Sequence, residues 1–216
     1  MKAEVLVGGD QTRIGFSAEV KPKSLLVTKN GETILIDILK QLDVPEISDI
    51  EIFVGDNRLI EEFVDNNRSE IKKRILINNI KLPTLGQYVF NYKGNEPVTF
   101  VFGDMYIPKP QLSSYIKYAS NLESDYSAVI GVSDTQVGDY KVEIQGNRVK
   151  SISKEIGQKF TCGLFSILDI GIIKKLKETS KLTEVFAQIP QTRTKMGYFE
   201  TKGLVDIDTP ESISLL

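Results

Sequence analysis

Three polar clusters in this chain lie where apolar runs end, and their residue types suit the handling of phosphate. The first, Gly8-Gly9-Asp10-Gln11-Thr12-Arg13, follows the apolar run "AEVLV" at 3–7, with Lys21 and Lys23 close behind it. The second is Gly103-Asp104 after "VTFVF" at 98–102, and the third is Asp206-Ile207-Asp208-Thr209-Pro210-Glu211 near the C-terminus. A glycine loop offers backbone N–H groups that cradle phosphate oxygens. Basic side chains neutralise the remaining charge, and two carboxylates at neighbouring strand ends can hold a divalent cation against a nucleotide. Singly, each cluster has an ordinary reading: Gly8-Gly9 as a tight turn, Asp104 and Asp208 as caps or turn residues, Lys21 and Lys23 as solvated surface charges. The chemical reading rests on their occurring together.

The chain has no histidine, which removes the commonest general base, proton shuttle and metal ligand at once. Phosphoryl and nucleotidyl transfer tolerate that restriction, because an attacking phosphate is already an anion and the work is positioning and charge neutralisation. Two better-known phosphate motifs are missing. No G-x-x-x-x-G-K-[ST] marks a P-loop NTPase, and no G-x-G-x-x-G opens a helix as a dinucleotide fold requires.

Positioning such clusters calls for a sheet with all three at the carboxyl ends of its strands. The pattern supplies one. "ETILIDILKQL" places Ile34, Ile38 and Leu42 at helical spacing with Leu35 and Leu39 beside them. Strand "IEIFV", helix "LIEEFVDNNRSEIKKR", strand "ILI" and helix "LGQYVFNY" follow, and the unbroken run at 98–102 suits a central strand buried on both faces. From "SAVIGV" to "FTCGLFSI" the strands are closely spaced, with Gly146-Asn147 as a hairpin turn. The expected fold is a three-layer α/β domain, a doubly wound, mostly parallel sheet with a small antiparallel insertion before the final helices. Residues 1–216 read as one domain, with a nucleotide-binding half to about 105 and an acceptor-binding half from 106. Val205 and Ile207 face one way and Asp206 and Asp208 the other, with Thr209-Pro210 starting a helix.

In this order the clusters resemble the nucleotidyltransferases of the nucleotide-sugar pyrophosphorylase and molybdopterin guanylyltransferase type, which have a Rossmann-like, GT-A-type fold. Their pattern is G-G-x-G-T-R, P-K-x-L-L, a small-residue helix start, a strand ending in G-D, and a closing D-x-x-T-P-E. The chain carries Gly8, Gly9, Thr12 and Arg13, then Pro22-Lys23-Ser24-Leu25-Leu26, Gly86-Gln87, Gly103-Asp104 and Asp206 to Glu211. The resemblance implies that Val7, Gly8, Gly9, Asp10, Gln11, Thr12 and Arg13 wrap a triphosphate. Arg13 and Lys23 would be catalytic, the first on the outer phosphates and the second at the α-phosphate. Thr84, Gly86 and Gln87 would meet base and ribose, Asp104 and Asp208 would hold Mg²⁺, and Cys162, Gly163 and Glu155 would line the acceptor pocket. The chain departs from the pattern at Gln11, which replaces a loop glycine, and at Lys141 after Tyr140, where a glycine is usual. The closing "DIDTPE" is a form also found in relatives that activate polyol, choline or molybdopterin phosphates, and no hexapeptide repeat follows it.

The reaction implied is transfer of NMP from an NTP to a phosphorylated acceptor, with a sugar 1-phosphate favoured. A polyol, inositol or choline phosphate cytidylyltransferase and a molybdopterin guanylyltransferase stay open, as does a non-catalytic nucleotide-binding regulatory subunit. A GT-A glycosyltransferase would place its D-x-D elsewhere than at 206–208. Composition bounds the partners. With 27 basic and 29 acidic residues and a formal charge of −2, no basic block points to nucleic acid or anionic membrane. No apolar run is long enough for a bilayer, the start lacks a leader pattern, and the expected location is the cytoplasm. Homo-oligomerisation is left open. The single cysteine, Cys162, lies in apolar "FTCGLFSI" and reads as a buried thiol.

Overall fold

A computed structural model describes residues 1–7, 22–122, 124–207 and 210–214. Gly8 to Arg13, Lys21, Asp208 and Thr209 therefore lie outside the described residues. The first half alternates as its periodicity requires: β1 (Lys2–Leu6), α1 (Ile34–Leu42), β2 (Asp49–Phe53), α2 (Arg58–Asn67), β3 (Arg74–Asn78), α3 (Leu85–Asn91) and β4 (Val98–Phe102). Helix α1 is capped by Thr33, whose Oγ1 accepts from the Ile36 N–H at 3.3 Å, and its apolar stripe is almost wholly buried. The predicted helix at 59–74 is shorter than expected: α2 stops at Asn67, a single 3₁₀ turn covers Arg68–Glu70, and Arg74 already belongs to β3. No apolar stripe continues past Val64 to hold further turns against the sheet.

The second half follows a two-residue strand, β5 (Met105–Tyr106). It comprises α4 (Gln111–Ser120), β6 (Tyr126–Ser133), β7 (Lys141–Gln145), β8 (Arg148–Ser153), β9 (Lys159–Ile167), α5 (Leu182–Ala187), β10 (Lys195–Thr201), β11 (Val205–Asp206) and α6 (Pro210–Ile213). The main sheet has the order β10-β6-β9-β4-β1-β2-β3, with β7 and β8 branching from β9. Strand β1 is parallel to β2 and β4, β2 to β3, and β10 to β6. Strand β4, buried from Val98 to Val101, is central as expected, between β1 and β9.

The fold class is as expected, a mostly parallel sheet with a small antiparallel part, in which β9 inserts between β4 and β6 and runs against both. Strand β10, from "KMGYFET", has no clear sequence signal: Met196, Gly197 and Thr201 are buried, whereas Tyr198 and Phe199 are half-buried and Glu200 is exposed, which is neither an alternating nor an unbroken apolar pattern. The hairpin turn at Gly146-Asn147 is present between β7 and β8, with Gly146 at φ +61°.

Helices cover both faces. One core gathers α1, α2 and α4 over Ala3, Val5 and Ile52; the other gathers α3 and α5 over Leu6, Phe100 and Phe165. Glu4, between Val5 and Ala3 on β1, points to the second face and is 2% exposed. Burial above all, and then the neighbouring Glu51, push its carboxyl up to about 8, with Lys2 partly opposing. A carboxyl whose folded pKa lies above its ordinary 4.5 favours the fold below that value and loses the contribution as pH rises through 8. Wild type should therefore lose stability relative to Glu4→Gln between about pH 5 and pH 9 in paired denaturant melts. A difference that stays flat, or reverses, would show that Glu4 titrates normally.

Candidate functional site

The strand ends converge where β1 and β4 run out. The Val7 N–H donates to the Phe53 carbonyl of β2 at 3.2 Å, and the Gly103 N–H donates to the Leu6 carbonyl at 2.9 Å. Gly103 is glycine for a steric reason: a Cβ there would lie 2.2 Å from Val7 Cγ1. The strand ends are thereby pressed together, and Asp104 occupies the turn beside the residue from which the glycine loop departs. Beyond that turn β5 pairs antiparallel with β11, Met105 opposite Asp206 and Tyr106 opposite Val205. Asp206, the first residue of the third cluster, is thus carried back to the second by a two-residue ladder.

Helix α1 supports both sides of this junction. Gln41 donates through Nε2 to the Ile107 carbonyl at 2.8 Å and accepts the Leu112 N–H at 3.1 Å, clamping the chain just after β5. Lys109 adds an ion pair to Asp37 at 2.8 Å. At the other end of α1, Pro22 leads into a 3₁₀ turn at Lys23–Leu25, and the Ile34 N–H donates to the Leu26 carbonyl at 3.0 Å. Lys23 is only 7% exposed, so the solvated-surface reading does not apply to it.

A cavity of about 770 Å³ opens at the carboxyl ends of β1, β2 and β3. Val7, the β2–α2 loop from Val54 to Leu59, and residues 81–85 form its wall, with Tyr88 from α3. The loop turns on Gly55 at φ +55°, and Asn57 caps α2 by accepting the Ile60 N–H at 3.3 Å. The N-terminus of α2 therefore opens on the cavity together with Arg58 and Lys81, a combination that favours an anion.

Of the residues expected at a site, Val7 and Thr84 line this cavity. Gly86 and Gln87 do not. A Cβ at Gly86 would lie 1.9 Å from the Thr179 carbonyl oxygen, and its N–H donates to Ser180 at 3.1 Å. Gln87 donates to Glu178 at 2.8 Å. Both residues dock the segment before α5 onto α3. Gly86→Ala should accordingly lower stability by about 1–3 kcal/mol in a denaturant melt, since a backbone atom cannot swing aside; an unchanged melt would mean that the segment yields freely.

Cys162 and Gly163 lie on β9 beside β4. The Cys162 thiol is buried in the core, 3.6 Å from Thr201 Oγ1, and burial pushes it up to about 12. Gly163 is packed under Phe102 and Met105, which a Cβ would meet at 2.8 and 2.3 Å. It thus adjoins the Asp104 turn, whereas the Cys162 side chain faces the interior. Glu155 is exposed in the β8–β9 connection, where its carbonyl accepts from Lys141 at 3.4 Å. Sequence reasoning missed the Gly55-to-Arg58 loop and Gln41. A glycine followed by Asp-Asn after an apolar strand was the available signal for the former; an interior glutamine of a helix gives none for the latter.

Among the described residues no three potential metal-ligating side chains of the His, Cys, Asp or Glu type cluster together, and no helix is long and apolar enough to cross a membrane. No family model matches the chain, and no curated protein matches it in sequence. Solved structures do share its fold. The inositol-1-phosphate CTP transferase from T. maritima aligns over 99% of this chain and 94% of its own, with 18% identity and a TM-score of 0.69. A Bacillus anthracis protein assigned as a glucose-1-phosphate thymidylyltransferase, solved with a sucrose, aligns over 99% and 92%, with 18% identity and a TM-score of 0.75. A UDP-glucose pyrophosphorylase complexed with UDP-glucose aligns over 98% and 95%, with 14% identity and a TM-score of 0.73.

Proposed function

We propose that this chain is a nucleotidyltransferase that moves NMP from an NTP to a phosphorylated small-molecule acceptor. An acceptor phosphate oxygen attacks the α-phosphorus in line, the new P–O bond forms as the bond to the β-phosphate oxygen breaks, and pyrophosphate carries away the charge. The observation that carries the reading is the packing of Gly103 on Val7, which sets Asp104 in the turn next to Val7, itself part of the wall of a nucleotide-sized cavity. The fold neighbours, with their inositol 1-phosphate, glucose 1-phosphate and UDP-glucose chemistry, support the same class, and a sugar 1-phosphate is the acceptor we favour. We treat residues 1–216 as one domain and assign it to the cytoplasm, where such metabolites occur and a lone buried thiol stays reduced.

In this reading the loop from Gly8 to Arg13 binds the triphosphate and Lys23 neutralises the α-phosphate. The wall formed by Thr84 and the Gly55 loop receives base and ribose, and Gly163 faces the acceptor side with Glu155 in the overhanging loop. The half-buried Asp104 offers hard oxygen donors, and the β5–β11 ladder leads back to it from Asp206, a donor set that fits Mg²⁺. Asp104 and Asp208 would hold the ion, which neutralises charge on the phosphates when bound.

The test is pyrophosphate release from each of the four NTPs against a panel of sugar, polyol, inositol and choline phosphates in the presence of Mg²⁺. One productive pair identifies base and acceptor together. No release from any pair would replace the enzyme with a nucleotide-binding regulatory subunit.

A further inference from the structure

On the face of the sheet covered by α3, a second cavity of about 430 Å³ lies behind the first, lined in part by Glu4, Glu51, Phe53 and Tyr92. Leu82 and Tyr88 belong to the walls of both cavities and divide them. Tyr88 is held in this partition by the Leu82 N–H, which donates to its hydroxyl at 3.4 Å, and by edge-on packing against Phe53 at 4.8 Å.

The two carboxyls of this second cavity are unequally supported. Glu51 is fully engaged: Lys2 pairs with it and the Asn78 amide donates to it at 2.8 Å. Glu4, its register partner on β1, has no such support, and its Oε2 is buried without a hydrogen-bond partner. A buried carboxyl without a partner loses hydration and gains nothing in return. The surrounding surface is largely aromatic and aliphatic, and the Tyr92 ring already takes one ammonium, that of Lys2, at 5.9 Å. Of the two ammoniums in the lining, Lys2 is paired with Glu51 and Lys93 is exposed at the rim, so the buried Glu4 faces the aromatic walls with room for a further cation that brings its own apolar body.

We infer that this cavity is a binding site for a small organic ammonium, a primary amine on an apolar frame, with Glu4 as its counter-charge and the aromatic rings of Phe53, Tyr88 and Tyr92 as its walls. The inference does not depend on the proposed function: Glu4, Phe53 and Tyr92 lie outside the first cavity, and only the partition residues Leu82 and Tyr88 are shared with it. Binding uses the ionised form of Glu4, whereas the empty cavity favours the protonated form, so a proton is released as the amine enters. The other titratable groups facing Glu4 are Lys2 on its own strand, Glu51 on β2, and Tyr88, Tyr92 and Lys93 from α3 and the turn after it. The two tyrosines stay protonated over the range tested, since burial raises both.

Phenethylamine is a suitable probe, and 2-phenylethanol, its neutral analogue of nearly the same shape, is the control. Isothermal titration of the full chain should show the amine binding at pH 8.5 at least about tenfold more tightly than the alcohol, with its affinity falling up to about tenfold per pH unit below 8. Repeating the titration in two buffers of different ionisation heat should register the released proton. Glu4→Gln should abolish the preference for the amine. Equal binding of amine and alcohol by wild type, no binding of the amine between pH 7 and 9, or an undiminished preference in Glu4→Gln would each overturn the inference. The first two arms need no variant, so a misfolded Glu4→Gln protein does not blunt the test.

Discussion

Asp104→Asn should leave the fold in place and lower kcat by about two orders of magnitude or more. The carboxylate sits in a turn, outside both hydrophobic cores, and asparagine keeps its size and turn preference. What the substitution removes is one negative charge at the point where β1, β4 and β11 meet. A hard anionic oxygen facing a cation at a transferring phosphoryl group is worth several kcal/mol at the transition state, and a neutral amide recovers little of it. Thermal melts establish that the variant folds, and turnover at saturating Mg²⁺ reads the effect. Turnover near wild type would remove Asp104 from the site.

Lys23→Ala should lower kcat/KM by about a hundredfold or more, the loss expected for one preorganised charge contact. Lys23 follows Pro22, whose ring fixes the approach, and its turn is bonded to the start of α1. Since the residue is nearly buried, alanine also removes packing, so Lys23→Met is the deciding companion: it restores much of the stem and omits the ammonium. Both variants should be similarly inactive. Lys21→Ala, outside the P-K-x-L-L match, should cost far less. Recovery of activity in Lys23→Met would assign Lys23 to packing alone and leave the phosphates to the glycine loop.

The parts of the fold with strong local signals were legible in the sequence. The apolar stripe of α1 and the unbroken run of β4 dictate their elements almost regardless of context, and both occur where the periodicity puts them. The ends of α2 and the membership of β9 and β10 were less legible, because they depend on partners far along the chain: β9 pairs with β4 some 60 residues earlier, and β10 pairs with β6 across the whole hairpin region. The site divides the same way. Gly103-Asp104 could be found because a strand-ending glycine has one steric cause, seen here in Val7. Gly86, at the start of α3, is glycine for a different cause, the Thr179 carbonyl, which a helix-opening glycine does not reveal in the sequence. Glu4 gives no sequence signal beyond that of one polar residue in an apolar strand; its significance comes from Glu51 and α3.

The strand order also governs how the protein emerges from a ribosome. Strand β1 is made first yet lies inside the sheet, between β2 and a β4 that comes almost a hundred residues later. When β4 has docked on β1, its other edge, lined by Val98, Phe100 and Val101, still lacks β9, which begins at Lys159. At about 5–20 residues per second, synthesis of the intervening stretch takes roughly 3–12 s, during which an apolar strand edge is open to any neighbouring chain. Translation pace between codons 103 and 159, and capture by nascent-chain chaperones over that interval, should therefore influence the yield of soluble protein more strongly than any change near the C-terminal helices.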